Sequence, residues 1–224
     1  MSDSHGTQTS ATSIKVWDIF VRLAHWVVAT AFFIAYFTED DVLTLHVWAG
    51  YTIGVFVILR IIWGFVGPRH ARFADFLYGP FTIWKYLLAL MTFKAKRHIG
   101  HSPAGGAMAI VLLIGLAATV GVGLELYATE KNAGPLASFT QVAAPMGDAN
   151  TQVILQDHDD DYEQEEGRHG DHESGAGRFW KELHELLANA MLFFVILHIG
   201  GVILASIVHR ENLTKAMITG YKRP

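Results

Sequence analysis

Histidine is the residue type whose number and positions most directly suggest chemistry in this chain. The 224 residues include 12 His and no Cys. Without Cys, the chain itself cannot hold disulfides, zinc-thiolate sites, iron-sulfur clusters or covalently attached c-type haem. Four His fall within or beside long apolar stretches: His25, His46, His184 and His198. Because an ionisable side chain at membrane depth is costly, each of these is a functional-site hypothesis by default.

Two of these four His share one helix face. His184 and His198 are fourteen residues apart. At 100° per residue they lie within about 40° of each other around a helix and about 21 Å apart along its axis. One helix would therefore offer imidazole ligands at two depths.

The apolar stretches that carry these His are long enough to cross a membrane. A span needs about 20 mostly apolar residues, and the sequence predicts four spans, at about 19–37, 45–66, 107–126 and 186–208. The shorter stretch from Phe81 to Phe93 contains Lys85. Its length favours a helix lying in the membrane interface over a re-entrant segment.

The composition supports the same class of protein. Of all residues, 51% are apolar and 17% are charged, whereas an average soluble domain is about 25% charged. The net charge of -4 argues against a nucleic-acid-binding protein, which is usually basic. The many large apolar residues exclude a chain that is disordered throughout. We therefore expect an all-α membrane protein, a bundle of four transmembrane helices.

The depths of the four His match in pairs. His46 lies about two residues into the second span, and His184 lies beside the start of the fourth. His25 and His198 each lie about twelve residues, or about 18 Å along a helix, from the outer ends of their spans. The third span contains no His. The pairs His46/His184 and His25/His198 give two bis-imidazole sites, the arrangement that a transmembrane electron carrier with two b-type haems requires.

Alternative interpretations stay open at this point. A single His within a span is more often a packing or proton-relay residue than a ligand, and a haem-free transporter could use several His to bind ions. His209 lies eleven residues after His198 and about 20° from its face, so it could replace one partner. Its neighbours Arg210 and Glu211 favour a position at the water boundary instead.

Loop charge predicts the orientation, because Lys and Arg accumulate on the cytoplasmic side. The connection between the second and third spans has six basic residues and one acid, Asp75. We expect that connection, a disordered tail at 1–13 and a basic tail at 211–224 to be cytoplasmic, in a bacterial inner membrane. The acidic loop at about 127–178 would then be periplasmic.

A set of motifs in chain order resembles the bacterial cytochrome b561 family, which includes the membrane cytochrome b subunit of nickel-iron hydrogenases. The resemblance covers most of the chain outside the N-terminal tail and the acidic loop. It rests on Val16-Trp17-Asp18, Arg22, His25-Trp26, His46, Ala49-Gly50-Tyr51, Arg60 to Pro68, Gly100 to Gly105, His184-Glu185, His198 to Gly201 and His209 to Leu213.

The resemblance implies a four-helix bundle that binds two non-covalent haem b groups. One ligand would come from each of the first two helices and two from the fourth, which gives His25, His46, His184 and His198 in this sequence. The long acidic insertion is a departure from compact members, and it leaves the periplasmic partner open.

Two arginines could bind the haem propionates, which are anionic and need cations near the water boundary. Arg22 lies one turn before His25, and Arg60 lies near the inner end of the second span. Either could instead extend to lipid phosphates, but the greater depth of Arg60 favours propionate binding or a buried ion pair.

The predicted function is electron transfer between a periplasmic redox partner and the quinone pool or respiratory chain. The alternative is a cytochrome b subunit of a membrane-bound nickel-iron hydrogenase or related complex. The expected partners are the lipid bilayer, quinone, and a periplasmic cytochrome or hydrogenase subunits, and a homodimer stays open. The acidic, His-containing segment 157–173 is interpreted as a solvated linker; a metal site or a dock for a basic protein are the alternatives.

Overall fold

The four apolar stretches form the four longest helices of the computed structural model, which describes residues 13–39, 42–137 and 175–223. They are α1 (Ile19–Phe37), α2 (Leu43–Val66), α4 (Pro103–Lys131) and α5 (Gly175–Val208). Each is long and apolar enough to cross a membrane. Two short helices complete the set, α3 (Pro80–Met91) and α6 (Leu213–Thr219). The predicted short apolar helix near 81–93 is therefore present as α3.

Local sequence explains where several helices begin and end. Asp18 precedes α1 and its side chain accepts a 3.0 Å hydrogen bond from the Val21 N–H, which satisfies one of the unpaired donors of the first turn. Pro80 begins α3, where its missing N–H costs nothing. Asn212 caps α6 at one end. At the other end Gly220 adopts φ 87°, a conformation that suits glycine.

Two helices are longer than the apolar spans that they contain. Helix α4 begins at Pro103 and α5 begins at Gly175, whereas the spans were predicted from about 107 and 186. The first turns of α5 carry charged residues such as Arg178 and Glu182, four apart on one face. Such pairs favour a helix in water, so the helix extends beyond the length that hydropathy alone measures.

The chain divides into two compact units. The larger comprises the described residues of Met1–Val120 and Leu187–Pro224. In this unit all four long helices contribute to one apolar cluster, in which Leu112 and Leu116 of α4 pack against the buried side chains. The buried members are Ala31, Phe32, Ile53, Val57 and Met191.

Small residues and interhelical hydrogen bonds bring the helices of the larger unit together. A Cβ added to Gly115 of α4 would overlap the Met191 sulfur of α5, and one added to Gly54 of α2 would lie 3.1 Å from Val120 of α4. The Tyr36 hydroxyl of α1 donates a 3.1 Å hydrogen bond to the Asn189 side chain of α5. Close packing between small residues is the usual basis of helix association in membranes.

The outer surfaces of the long helices are apolar. Ile58, Ile114, Phe193 and Ile203 are each more than half exposed. Many exposed large apolar side chains mark a membrane-facing or partner-facing region, and the helices at the predicted spans carry the apolar outer side chains that lipid requires.

The segment after α5 folds back onto the start of the chain. Strand β1 (Ile14–Lys15) pairs antiparallel with β2 (Tyr221–Lys222), so Ile14 faces Lys222 and Lys15 faces Tyr221. The predicted basic tail thus contains α6 and β2, which no hydropathy signal indicated. Because β1 precedes α1 and β2 follows α5, the two ends of this helical unit meet.

The smaller unit comprises the described residues of Gly121–Leu186. It contains the C-terminal part of α4 and the N-terminal part of α5, with Ala128 fully buried. The segments predicted as the disordered tail and as the acidic region at 157–173 lie largely or wholly outside the described residues.

Candidate functional site

The larger unit brings the rings of His25 of α1 and His198 of α5 close together. Their ring centroids are 6.4 Å apart, and the ring planes are inclined by 55°. A metal–imidazole bond is about 2 Å long, and the bonded nitrogen lies about 1 Å from its ring centre. Two imidazoles on one ion would therefore have centroids about 6 Å apart, so this spacing fits a single iron between the rings.

The surroundings of His25 leave one polar atom without a partner. Its Nδ1 is buried and has no hydrogen bond within the part of the chain that the structure describes. The Trp26 ring packs edge-on against the imidazole at 5.1 Å. A buried imidazole is costly unless its nitrogens are used, and a cofactor between the two rings would give both His a ligand role.

His46 is oriented by a hydrogen bond from α2 to the end of α1. Its Nδ1 lies 2.9 Å from the Ala35 carbonyl oxygen. Because a carbonyl only accepts, Nδ1 carries a proton, and in the neutral ring this leaves the lone pair on Nε2. Histidine ligands are commonly fixed in this tautomer by such a bond to the second nitrogen.

His184 lies in the smaller unit, where α5 passes close to α4. A Cβ added to Gly123 would lie 2.8 Å from Cε1 of the His184 ring, so glycine at this position makes room for the imidazole. His46 and His184 belong to different units, and their predicted pairing stays a prediction.

The two predicted propionate-binding arginines are both anchored to backbone carbonyls in the larger unit. Arg22 donates through Nη2 to Ile218 of α6, while Arg60 donates through Nη2 to Ala71 at 3.2 Å and lies 5.4 Å from the Phe73 ring centre. Arg22 Nε and Arg60 Nη1 are buried and, within the described residues, have no hydrogen-bond acceptor. Each guanidinium thus keeps a donor for a further anionic group.

His101 is enclosed by aromatic rings just before α4. Its ring centroid lies 4.6 Å from that of Trp17 and 4.2 Å from that of Phe76. Burial lowers the pKa of His101 to about 3, and the charges of Arg60, Lys222 and His70 act in the same direction while Asp75 opposes them. The imidazole is therefore neutral at physiological pH.

His209, the alternative haem ligand, contacts a tyrosine. Its Nε2 lies 3.1 Å from the Tyr86 hydroxyl of α3. Next to it, the buried Glu211 carboxylate accepts a 3.1 Å hydrogen bond from Arg97. These contacts tie the end of α5 to α3 and to the loop before α4.

Sequence reasoning missed one polar group near this end of the bundle. The indole Nε1 of Trp63 is buried and has no acceptor among the described residues. Trp63 lies within the Arg60 to Pro68 motif, and nothing in its spacing distinguishes it from an ordinary interfacial tryptophan. Over the same described ranges, no three His, Asp or Glu side chains come together as a metal-ion cluster.

Comparison with known proteins gives a family match and two curated relatives. The model of the family described as prokaryotic cytochrome b561 matches residues 16–220. A probable Ni/Fe-hydrogenase B-type cytochrome subunit of Rhizobium leguminosarum bv. viciae is 30% identical over 132 residues, which cover 46% of this chain and 54% of that protein. The match thus spans about half the length of that relative.

A second relative is matched over more of its length. A probable Ni/Fe-hydrogenase B-type cytochrome subunit of Rhodobacter capsulatus is 26% identical over 244 residues, covering 94% of this chain and 82% of that protein. No solved structure matches the chain.

Proposed function

This chain belongs to the prokaryotic cytochrome b561 family, and from that premise we propose that it carries electrons across a bacterial inner membrane on two b-type haems. Membership of the family makes it a multi-pass membrane cytochrome b of electron transport. The number of haems, their ligands and the partners on each side form the proposal.

One observation carries the proposal, the 6.4 Å spacing of the His25 and His198 rings. We propose that these two side chains would hold the iron of one haem. When bound, haem b supplies an iron that alternates between the ferrous and ferric states, with its potential tuned by axial ligands and environment. The chain's own part is to hold two neutral imidazoles on rigid helices and to keep water away from the iron.

The second ligand pair in the proposal is His46 with His184. Support comes from the matched depths in the sequence, from the Nδ1–H tautomer that Ala35 imposes on His46, and from the glycine beside the His184 ring. Two sites at two depths would let an electron cross the membrane in two short steps.

Arg22 and Arg60 complete the proposed cofactor-binding set. Both are cations at the end of the bundle where α1 begins and α2 ends, and each keeps a buried donor for an anionic group. We propose that they bind propionate groups of the haem held by His25 and His198.

The proposed partners are a periplasmic redox protein and membrane quinone. The basic connection between α2 and α4 supports a cytoplasmic location for that connection and for both termini. The acidic segment 157–173 would then face the periplasm. A segment of that charge is suited to steering a basic redox protein.

The second candidate is a subunit of a membrane-bound nickel-iron hydrogenase, and the names of both relatives favour it. The two candidates share the cytochrome and differ in the partner. Co-purification of hydrogenase subunits with the tagged chain from its native membranes would favour the second, whereas recovery without them would favour the first. The mass of the purified chain would also decide whether it forms a homodimer.

The experiment that tests the haem assignment is a visible spectrum with haem counting on single variants. The purified chain should give a b-type α-band in the reduced-minus-oxidised spectrum and two haems per chain. His198→Ala and His184→Ala should each remove one haem, because each loses one axial ligand.

His209→Gln is the matched control and should keep both haems, since its imidazole contacts Tyr86. A chain without any b-type α-band would support the haem-free transporter instead. Two haems retained in both ligand variants would overturn the assigned ligands.

A further inference from the structure

We infer that Trp63 acts together with Arg22 and Arg60 as a carboxylate-binding site for the haem between His25 and His198, and that the C-terminal segment holds this site in place. The inference rests on the proposed function. It adds one binding residue, Trp63, and gives a role to α6 and β2.

Three buried donors define the site. Arg22 Nε, Arg60 Nη1 and Trp63 Nε1 are each buried, and none has a hydrogen-bond acceptor in the part of the chain that the structure describes. All three are N–H groups without lone pairs to offer, so only an acceptor can satisfy them. Buried donors are rarely left unpaired, and two cations among them favour a negatively charged acceptor.

The three side chains surround one small apolar cluster. Its buried members are Val16, Trp17, Val21 and Ala71, and Trp63 packs against them. Arg60 reaches the same cluster through its hydrogen bond to the Ala71 carbonyl. A Cβ added to Gly220 would lie 3.1 Å from Arg22 Nη1 and 2.9 Å from the Trp17 carbonyl oxygen, so Arg22 also borders it.

Arg22, Arg60 and Trp63 lie at the same end of the helix pair α1 and α2, on one side of the His25 and His198 rings along the helix axes. Helices α1 and α2 run antiparallel, because His46 contacts Ala35 at one end and Trp63 contacts Phe20 at the other, with 4.8 Å between ring centroids. Phe20 is five residues before His25, about 7.5 Å along the axis.

Along the helix axes, the backbone positions of Arg22 and Arg60 lie between the Phe20–Trp63 contact and the His25 ring. Arg22 is three residues before His25, about 4.5 Å along α1, and Arg60 is one turn before Trp63 on the opposing helix. The backbone positions of Arg22, Arg60 and Trp63 therefore lie within about two helical turns of the ring pair, toward the end of the bundle where α1 begins and α2 ends.

The C-terminal segment positions one of the arginines. Arg22 Nη2 donates to the Ile218 carbonyl of α6, and the chain then turns at Gly220, whose carbonyl accepts hydrogen bonds from Val16 at 2.8 Å and Trp17 at 3.2 Å. Strand β2 follows and pairs with β1. Ile218 is thus a positioning residue for Arg22, and the segment after α5 covers the site.

The test compares haem with its dimethyl ester, in which both carboxylates are blocked. The full-length chain, produced without haem in detergent micelles, is titrated with each compound, and binding is followed by Soret absorbance. We expect the parent chain to bind haem about tenfold more tightly than the diester, since a hydrogen bond to a charged group contributes on that scale.

Single variants test which residues cause the preference for haem over its dimethyl ester. Trp63→Phe and Arg60→Gln should each weaken haem binding several-fold while leaving diester binding unchanged. Arg60→Gln should also lower the midpoint potential of the bound haem, because removing a nearby positive charge disfavours the more negative ferrous form. Arg60→Lys keeps the charge and should preserve the potential. Trp84→Phe on α3, 61% exposed, is the matched tryptophan control and should behave as the parent chain.

Equal affinity of the parent for haem and diester would overturn the inference and would assign the three donors to lipid phosphate instead. Parent-like haem preference in both Trp63→Phe and Arg60→Gln would also overturn it. Failure of the proposed function has a different signature, since a chain that binds neither compound has no haem site at all.

Discussion

At the scale of single residues, one side-chain type serves in several environments. His25 has a buried Nδ1 without a partner among the described residues, whereas His46 donates from Nδ1 to a carbonyl. His101 is packed between two aromatic rings. The sequence singled out the first two from their depth in apolar spans. The tautomer of His46 and the enclosure of His101 depend on contacts with other elements, which spacing along the chain does not contain.

His101 gives a prediction about acid stability. Its pKa of about 3 in the folded protein lies below the ordinary value of about 6.5, so between these values the unfolded chain binds a proton that the folded chain does not. The free energy of unfolding should therefore fall as pH decreases through this window, by about 2 kcal/mol at pH 5 from this residue alone.

The measurement is thermal or denaturant unfolding of the detergent-solubilised chain at pH 7 and pH 5. His101→Gln should reduce the loss of stability between these two pH values. His98→Gln is the comparison variant, at a partly exposed histidine whose ring centroid lies 5.5 Å from that of Tyr86. An acid sensitivity that is identical in the parent and in His101→Gln would contradict this role.

At the scale of elements, the sequence predicted the four long helices and α3, but it did not predict α6 or the two short strands. The apolar length of α1 and α2 appears directly in the sequence, because hydropathy determines which segments can enter a bilayer. Strands β1 and β2 have two residues each and pair across almost the whole chain. No local pattern distinguishes two such residues from a loop, so only folding of the whole unit reveals the pairing.

The approach of α4 to α5 gives a prediction at this scale. An alanine Cβ at position 123 would lie 2.8 Å from the His184 ring, whereas one at position 121 would meet no atom within 4 Å. Both positions are in α4, so Gly→Ala gains helix propensity equally at each. Gly123→Ala should displace the imidazole and lower the haem-to-chain ratio, while Gly121→Ala should leave that ratio unchanged.

The ratio is measured by pyridine haemochrome absorbance against protein concentration. Equal haem content in the two alanine variants would show that the ring can shift without losing its ligand function. A loss of haem in Gly121→Ala as well would indicate a general disturbance of α4.

At the scale of the whole molecule, an even number of predicted spans would return the chain to the side of the membrane where it began. The β1–β2 pairing agrees with this, because it joins the two ends of the larger unit. Pairing of Ile14 with Lys222 brings the residue positions just before α1 and just after α6 together. Which side of the membrane they occupy is predicted by loop charge alone, through six basic residues between α2 and α4.

The absence of Cys from this chain allows a direct test of orientation. Single cysteines introduced as Lys96→Cys and Lys131→Cys, both at exposed positions, can be labelled with a membrane-impermeant maleimide. Lys96→Cys should react in inside-out vesicles and Lys131→Cys in intact spheroplasts, because the loop containing Lys96 is predicted to be cytoplasmic. The reverse pattern would invert the predicted topology, and the Cys-free parent controls for background labelling.

The sequence by itself determined that this chain has four apolar helices long enough to cross a membrane, and it selected the four His predicted to lie at membrane depth. Both follow from hydropathy and charge, which are properties of residues before they fold. Only the tertiary structure decided that the ring centroids of His25 and His198 lie 6.4 Å apart, that Trp63 and two arginines hold buried donors, and that the C-terminal segment packs on the N-terminal strand. Those features depend on helix rotation, register and long-range pairing, and these are fixed by packing between segments distant in the sequence.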